Sequence, residues 1–389
     1  MNSRKNKKNP NTLAALTGAA LALPAIAQLA HAATPPTSPE IGYRYSQYRE
    51  DSVPTENLFT GSRERYDVNM HQFRLLAPVG DEWSMTVDGS YETMSGASAY
   101  GVTTNSAGQP QLIMSGASIS EKRSAASVTA RHFGERLSVS ARLGYSDEND
   151  YTATSGAVEF EFDPSDRLTT WSGGIGYSHD NVEPVQKTGL LRILSDTRNS
   201  VTGFAALTRV LSAAWQVQAG VFAEQQDGYL SDPYRARDIR PDRRRQYGFT
   251  LRSRYFLKSV QAALHTDYRF YSDDWGIDAH TLELSWYQTV SHQLQLVPRL
   301  RYYSQSQADF YVESDDSNRT GYQSSDFRLS PFGALSAGLE IIYDEQHYRL
   351  SASVDRYESK GDWALGNVAV ENPGLLSYTL MSVGVNYRF

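Results

Sequence analysis

The feature that most constrains this chain is a double rhythm. From residue 40 onward, runs of alternating residues recur, and the connectors between them alternate in length. The runs span 40–50, 63–77, 82–94, 122–133, 136–147, 150–162, 167–180, 197–210, 214–226, 244–256, 259–272, 277–290, 293–304, 326–342, 346–358 and 376–389. Connectors 79–81, 134–135, 163–166, 211–213, 257–258, 291–292 and 344–345 are short, whereas 51–62, 95–121, 181–196, 227–243, 305–325 and 359–375 are long. A period of two puts successive side chains on opposite faces of a strand. In 136–147, Leu137, Val139, Ala141, Leu143 and Tyr145 oppose Ser138, Ser140, Arg142, Gly144 and Ser146. Short turns on one rim and long loops on the other is the layout of a transmembrane barrel, with turns in the periplasm and loops outside. A soluble sandwich has no reason to sort its loops by length. Beginning and ending at the turn rim needs an even strand number. The pattern predicts an all-β fold: a transmembrane antiparallel up-and-down β-barrel over residues 33–389, of about sixteen strands, or fourteen if two weaker runs merge.

Two runs are irregular. The run 63–77 changes phase near Gln72-Phe73, which predicts a bulge, and 197–210 is ambiguous. Outward positions carry Tyr43, Tyr45, Trp83, Tyr91, Tyr145, Tyr177, Trp215, Tyr247, Tyr255, Tyr268, Tyr302 and Tyr387, rings suited to a headgroup zone. Tyr outnumbers Phe by 25 to 14, which favours a wet interface over a dry core. The mean hydropathy of −0.50 would pass for a soluble protein. A transmembrane barrel passes too, because half of each strand faces water. With no Cys, disulfides and thiolate chemistry are excluded.

The N-terminus reads as a cleaved secretory signal over residues 1–32. Arg4, Lys5, Lys7 and Lys8 precede an apolar run from Leu13 to Leu29, and Ala30-His31-Ala32 is an A-x-A cleavage site. The formal charge of −7 becomes more negative once this basic segment is removed, which makes nucleic acid a poor partner. At the other end, Ser382-Val-Gly-Val-Asn-Tyr-Arg-Phe389 resembles the C-terminal signal by which outer-membrane barrels engage the barrel-assembly machinery. The resemblance rests on Gly384, Tyr387 and Phe389.

Pro39-Glu-Ile-Gly-Tyr-Arg-Tyr45, Glu64-Arg-Tyr-Asp67 with His71-Gln-Phe-Arg74, and Ser115-Gly-Ala-Ser118 carry a second resemblance. Asp227-Gly-Tyr-Leu-Ser-Asp-Pro-Tyr234 and Tyr302-Tyr-Ser-Gln-Ser-Gln-Ala-Asp-Phe-Tyr311 are its more specific parts. Together they resemble an uncharacterised Gram-negative outer-membrane barrel family, domain of unknown function 3570, across the mature chain. The resemblance implies placement in the cell outer membrane, in contact with outer-membrane lipid and lipopolysaccharide, and hints at a periplasmic partner. It brings no substrate and no functional residues.

Enzyme signatures are missing. There is no G-x-S-x-G elbow, no H-E-x-x-H, no phosphate-cradling loop and no EF-hand loop. Neither an enzymatic activity nor a cofactor is expected. His71 and His265 fall within runs, where a lone His reads as a lumen hydrogen-bonding group. Ser178 and His179 are adjacent and face opposite ways on a strand. The charges on the polar face are more informative. Arg252, Arg254, Asp267, Arg269, Glu283, Arg299 and Arg301 are predicted to face inward from four consecutive strands. Asp88, Glu92, Glu159 and Glu161 would form a more acidic side across the lumen. Opposed charge would set a transverse field for polar solutes or ions. The leading expectation is therefore a porin-like channel or transporter. The alternative is a non-conducting barrel that scaffolds or binds a partner, its lumen charges paired among themselves.

Three loops hold further candidates. Loop 95–121, bounded by Ser95-Gly-Ala-Ser98 and Ser115-Gly-Ala-Ser118, is poor in charge and suited either to folding into the lumen or to lying outside. Loop 227–243, with Arg235, Arg237 and Arg240 before Arg243-Arg-Arg245, suits lipopolysaccharide phosphates. Loop 305–325 gathers Asp309, Glu313, Asp315 and Asp316, a set that would suit calcium if it converged.

Overall fold

The computed structural model describes residues 34–116, 119–164, 166, 168–185, 193–235, 237–315 and 319–389. The proposed signal peptide, Ser118 and Asp316 lie outside the described residues. Nineteen strands are described: β1 (Glu40–Glu50), β2 (Leu58–Thr60), β3 (Asp67–Val79), β4 (Trp83–Gly96), β5 (Ala99–Thr104), β6 (Pro110–Met114), β7 (Ile119–Phe133), β8 (Leu137–Glu148), β9 (Tyr151–Phe162), β10 (Thr169–Val182), β11 (Asp196–Ser212), β12 (Trp215–Gly228), β13 (Arg243–Leu257), β14 (Ala262–Asp273), β15 (Asp278–Thr289), β16 (Leu294–Gln305), β17 (Phe332–Asp344), β18 (Tyr348–Lys360) and β19 (Ser377–Arg388).

Sixteen of them form one closed antiparallel barrel. Each strand pairs with its neighbours in sequence, and β1 closes the ring on β19 from Glu40↔Arg388 to Glu50↔Tyr378. Closure leaves no edge with unpaired amides, the condition a sheet must meet to stand in lipid. Period-two alternation then sorts the side chains. Leu143, Ile175 and Val221 are 72%, 71% and 60% exposed on the outer face. That exposure is contact with lipid, and it leaves the inner face to polar groups. The outward rings sit next to one another across strands, as in Trp215 against Tyr255 and Tyr43 against Phe73.

Two expectations need correction. No bulge interrupts β3, whose register with β1 and β4 runs unbroken from Asp67. The apparent phase change arises because Val68 is an inward position buried against Met94, with Met70 and Tyr48 packed beside them. The bulge lies instead between Val210 and Ser212, where β11 meets β12. Residues 326–331 do not begin a strand. They contain a 3-10 turn, Phe327–Leu329, capped by the Asp326 side chain accepting from the Arg328 amide. Pro331 follows this turn, and β17 begins at Phe332.

The long loops are ordered by small folds of their own. Strands β2, β6 and β5 form a separate three-stranded sheet. The turn between β5 and β6 is built by Asn105, whose carboxamide oxygen accepts from the Ala107 and Gln109 amides at 2.9 and 3.0 Å. Gly108 supplies the positive φ of 77° that this turn requires. Beneath this sheet, Val53, Ala97, Val102, Leu112 and Met114 form one apolar cluster. A second, Trp275, Ile277, Ala308, Phe310, Tyr311 and Leu329, lies under loop 306–331.

Candidate transport lumen and its lid

Register places all eleven predicted lumen residues on the inner face of the wall. Arg252, Asp267, Glu283 and Arg301 are direct partners across β13, β14, β15 and β16, so they form one row around the lumen. Arg254 and Arg299 stand one row toward the turn rim, and Arg269 one row toward the loops. Arg254 pairs with Asp267, and Arg299 reaches Glu340 at 3.2 Å and Asp355 at 2.8 Å. Arg269 stacks its guanidinium 4.5 Å from the Phe222 ring centre. Arg252 reaches only the Gln218 carboxamide oxygen, at 3.4 Å.

The side expected to be acidic is balanced by arginines on the next strand or the next but one. Arg74 donates to Asp88 at 2.7 Å, Arg123 to Glu92 at 3.0 Å, and Arg131 to Glu161. Glu159 makes no ion pair among the described residues. The expected opposition of two charged walls is thus replaced by neighbour pairing within each wall. Predicting that outcome requires the strand-to-strand register, and residue types alone do not supply it.

The other candidates divide. Ser178 faces inward, while His179 faces out and hydrogen-bonds Asn199 at 2.8 Å. His71 is also outward, against expectation. Its Nδ1 meets the Tyr43 hydroxyl at 2.8 Å, within the outer aromatic belt. His265 faces inward against Tyr287, ring centres 4.2 Å apart. At the C-terminus, a Cβ on Gly384 would come within 2.9 Å of the Ser351 hydroxyl, so this position is tight for a local reason. Tyr387 and Phe389 face outward, and the Phe389 amide donates to the Pro39 carbonyl at 3.1 Å.

The long loops meet over the mouth. Arg235, in the loop between β12 and β13, donates to the Ala99 carbonyl at 3.4 Å, and Ala99 belongs to the connection between β4 and β7. In the ring, β8 to β11 separate those anchors. Asp315, between β16 and β17, accepts from the Val102 amide at 3.0 Å and returns its own amide to the Val102 carbonyl at 2.7 Å. Here β18, β19, β1 and β3 intervene. Loops anchored so far apart touch only by crossing the opening. Asn372, from the loop between β18 and β19, joins them by donating to the Tyr311 hydroxyl and the Ser325 carbonyl at 2.9 and 3.0 Å.

A charge cluster fastens this lid. Asp232, Asp238 and Asp326 are buried, with carboxylate oxygens within 4.8 Å of one another. Three converging carboxylates suit a divalent cation, but guanidinium groups already occupy the position. Arg240 bonds Asp238 at 2.6 Å and Asp326 at 2.8 Å, Arg328 bonds Asp326 at 2.5 Å and Asp232 at 3.4 Å, and Arg235 bonds the Ser325 hydroxyl at 3.2 Å. Three acids against three bases make a neutral latch between loops 229–242 and 306–331. Burial alone would raise the Asp326 carboxyl. The guanidinium groups of Arg328, Arg235 and Arg240 outweigh it and hold the group well below the usual range. Burial does raise Asp232, which has fewer close cations. The second tether is Tyr234, whose hydroxyl donates to Asp150. Burial pushes the Asp150 carboxyl up to about 6 against that hydrogen bond.

Two sequence candidates dissolve into this arrangement. The arginine run does not act as one cluster, because strand alternation splits it. Arg243 points out to Asp227 at 2.6 Å and Arg244 points in to Asp273, while Arg240 belongs to the latch. The acids of loop 305–325 do not converge either. The Asp315 carboxylate serves the Val102 amide, and among the described residues the one converging triad is Asp232, Asp238 and Asp326.

A closed barrel with an apolar outer belt, a charged inner face and loops gathered at one rim is an outer-membrane β-barrel protein. The chain belongs to the family described as protein of unknown function (DUF3570), which matches residues 13–374. No curated protein matches it in sequence. Among solved structures, a variant of the ferric enterobactin receptor from Pseudomonas aeruginosa is 11% identical, over 88% of this chain and 59% of that one, with a TM-score of 0.47. This chain thus spans about three fifths of that receptor's length. A bacterial polysaccharide outer membrane secretin is 9% identical over 90% and 98% of the two chains, with a TM-score of 0.48. The siderophore receptor PirA from Pseudomonas aeruginosa is 11% identical over 90% and 62%, with a TM-score of 0.45.

Proposed function

We propose that this barrel carries small polar solutes or ions across the outer membrane, through a lumen whose outer mouth is closed by the loop lid. The supporting observation is the division of labour inside the barrel. The wall offers mostly charged and hydrogen-bonding groups to the lumen, while the two larger apolar clusters lie among the loops at its mouth. A polar conduit under a separately folded cover is the arrangement expected of a gated path. Flux in proteoliposomes tests it. With the arginines at 252, 254, 269 and 299 changed together to Gln, Asp267, Glu340 and Asp355 lose their partners and the lumen becomes acidic. The reversal potential in a salt gradient is expected to shift toward cations by a several-fold change in permeability ratio. An unchanged ratio would remove these residues from the path.

A second reading has one observation in its favour. The lid is tightly built, and a barrel sealed by it would serve to display or scaffold. A barrel that stays impermeable with the latch broken, and that co-purifies with one specific periplasmic or extracellular protein, would establish that role. In either case Arg243 and Arg245, which point outward at the loop rim, are the groups we propose to meet lipopolysaccharide phosphates.

A further inference from the structure

A cavity of about 310 Å³ lies inside the barrel beneath the lid, on the β8–β13 side. Its volume is at the lower end of the range for ligand pockets. It exists because the inward positions there are small: Ser146, Ala153, Ser155, Ala157, Gly176 and Ser178 leave the space that Arg and Tyr fill elsewhere. The opposite side is supplied by β13 and the lid.

The charge on its lining is unbalanced. Six arginines reach the cavity (Arg123, Arg142, Arg198, Arg240, Arg244 and Arg328), against the three acids Glu148, Asp180 and Glu224. The excess arises because several counter-charges stand behind the guanidinium groups. Arg240 and Arg328 are held by Asp326, and Arg244 by Asp273, and neither acid lines the cavity. Arg142 forms no ion pair among the described residues, and Glu159 on the neighbouring strand does not close one with it. The lid contributes the apolar side chains of Leu230, Trp275 and Leu329 beside the guanidinium groups of Arg240 and Arg328. The Arg244 guanidinium lies over the Trp275 ring, 4.4 Å from its centre, so a cation covers one face of that aromatic side chain.

We infer that this cavity binds a small organic carboxylate, with its acid group toward Arg142 and its apolar body against Trp275 and Leu329. Guanidinium groups favour carboxylates through charge-assisted, often two-point hydrogen bonds. The space exceeds what an inorganic anion fills, and the apolar side chains among the lid residues reward a carbon skeleton. The inference rests on the transport reading for its biological sense, since it names the solute class the lumen would hold, but it is tested by binding alone.

The experiment is titration calorimetry on the full chain in nanodiscs, with benzoate as probe and benzamide as its neutral counterpart. Benzoate is expected to bind at least tenfold more tightly than benzamide. Arg142→Gln should weaken benzoate at least tenfold and leave benzamide unchanged. Arg142→Lys should restore most of the affinity, and Arg49→Gln on the outer surface should alter nothing. If Arg142→Gln does not fold, as judged by heat-modifiable migration, the Arg142→Lys variant and the benzoate-to-benzamide ratio still decide. Equal binding of the two probes, or benzoate affinity indifferent to Arg142, overturns the site. Benzoate binding without solute flux would leave the site standing and remove the transport reading. Flux of neutral solutes without benzoate binding would do the reverse.

Discussion

The wall and the lid of this barrel are stabilised in opposite ways. In the wall, each strand is held by a ladder that repeats its neighbour's, and the side chains need only be apolar outside and polar inside. Its ion pairs are many and partly exposed: Arg49–Asp67, Arg74–Asp88 and Arg299–Asp355 each join near neighbours. In the lid, a few residues from distant loops meet once each. Asp326 is fully buried and serves Arg240 and Arg328 together. Redundancy therefore protects the wall, and the lid depends on single groups. Under the proposed gated path, the least redundant contacts lie in the part that would have to open.

The largest effect should come from the latch. Asp326→Ala leaves two partly buried guanidinium groups without their shared carboxylate, a change that costs up to about 3–5 kcal/mol where nothing replaces it. The loss should be confined to loops 229–242 and 306–331. Limited proteolysis of the reconstituted protein is expected to cut those loops in the variant and spare them in the parent, while heat-modifiable migration of the barrel is unchanged. Loss of the folded barrel band would mean that wall and lid are one cooperative unit.

Next is the Tyr234 tether. The folded-state value of Asp150 is raised to about 6. The stability it contributes is therefore full below the ordinary carboxylate range and declines as pH rises to about 6. Asp150→Asn keeps an acceptor for Tyr234 and removes the buried charge. Hydrogen exchange of lid peptides should show the variant better protected at pH 8, by on the order of 1–3 kcal/mol, and equal to the parent at pH 4. The smallest effect belongs to the wall. Arg49→Ala breaks an ion pair whose arginine is 66% exposed. Pairs of this kind contribute about 0–1 kcal/mol, so the unfolding midpoint in urea should barely move. A large change there would show that the wall is less redundant than the comparison holds.

The same contrast decides what the sequence reveals. Strand number, strand order, the outward aromatics and the inward charges are all carried by period-two alternation and connector length, which are local signals. The start of β17 is hidden because alternation runs from Asp326 through a segment that folds as a 3-10 turn, Phe327–Leu329. The β5–β6 hairpin is signalled by Asn105 and Gly108 at its turn, but its strands are too short to show the alternation that marks the wall. Neighbour pairing of Asp88 with Arg74, or of Glu161 with Arg131, depends on register. The latch depends on Asp238 and Asp326 meeting across 88 residues of chain, and no spacing rule places them together.

Single-channel recording in planar bilayers bears most directly on the claim that this is a conduit under a latched cover. The parent is expected to conduct rarely, in brief openings, and Asp326→Ala to conduct persistently with the same unit size. Silence from both proteins, with correctly folded barrels in the membrane, would contradict the claim.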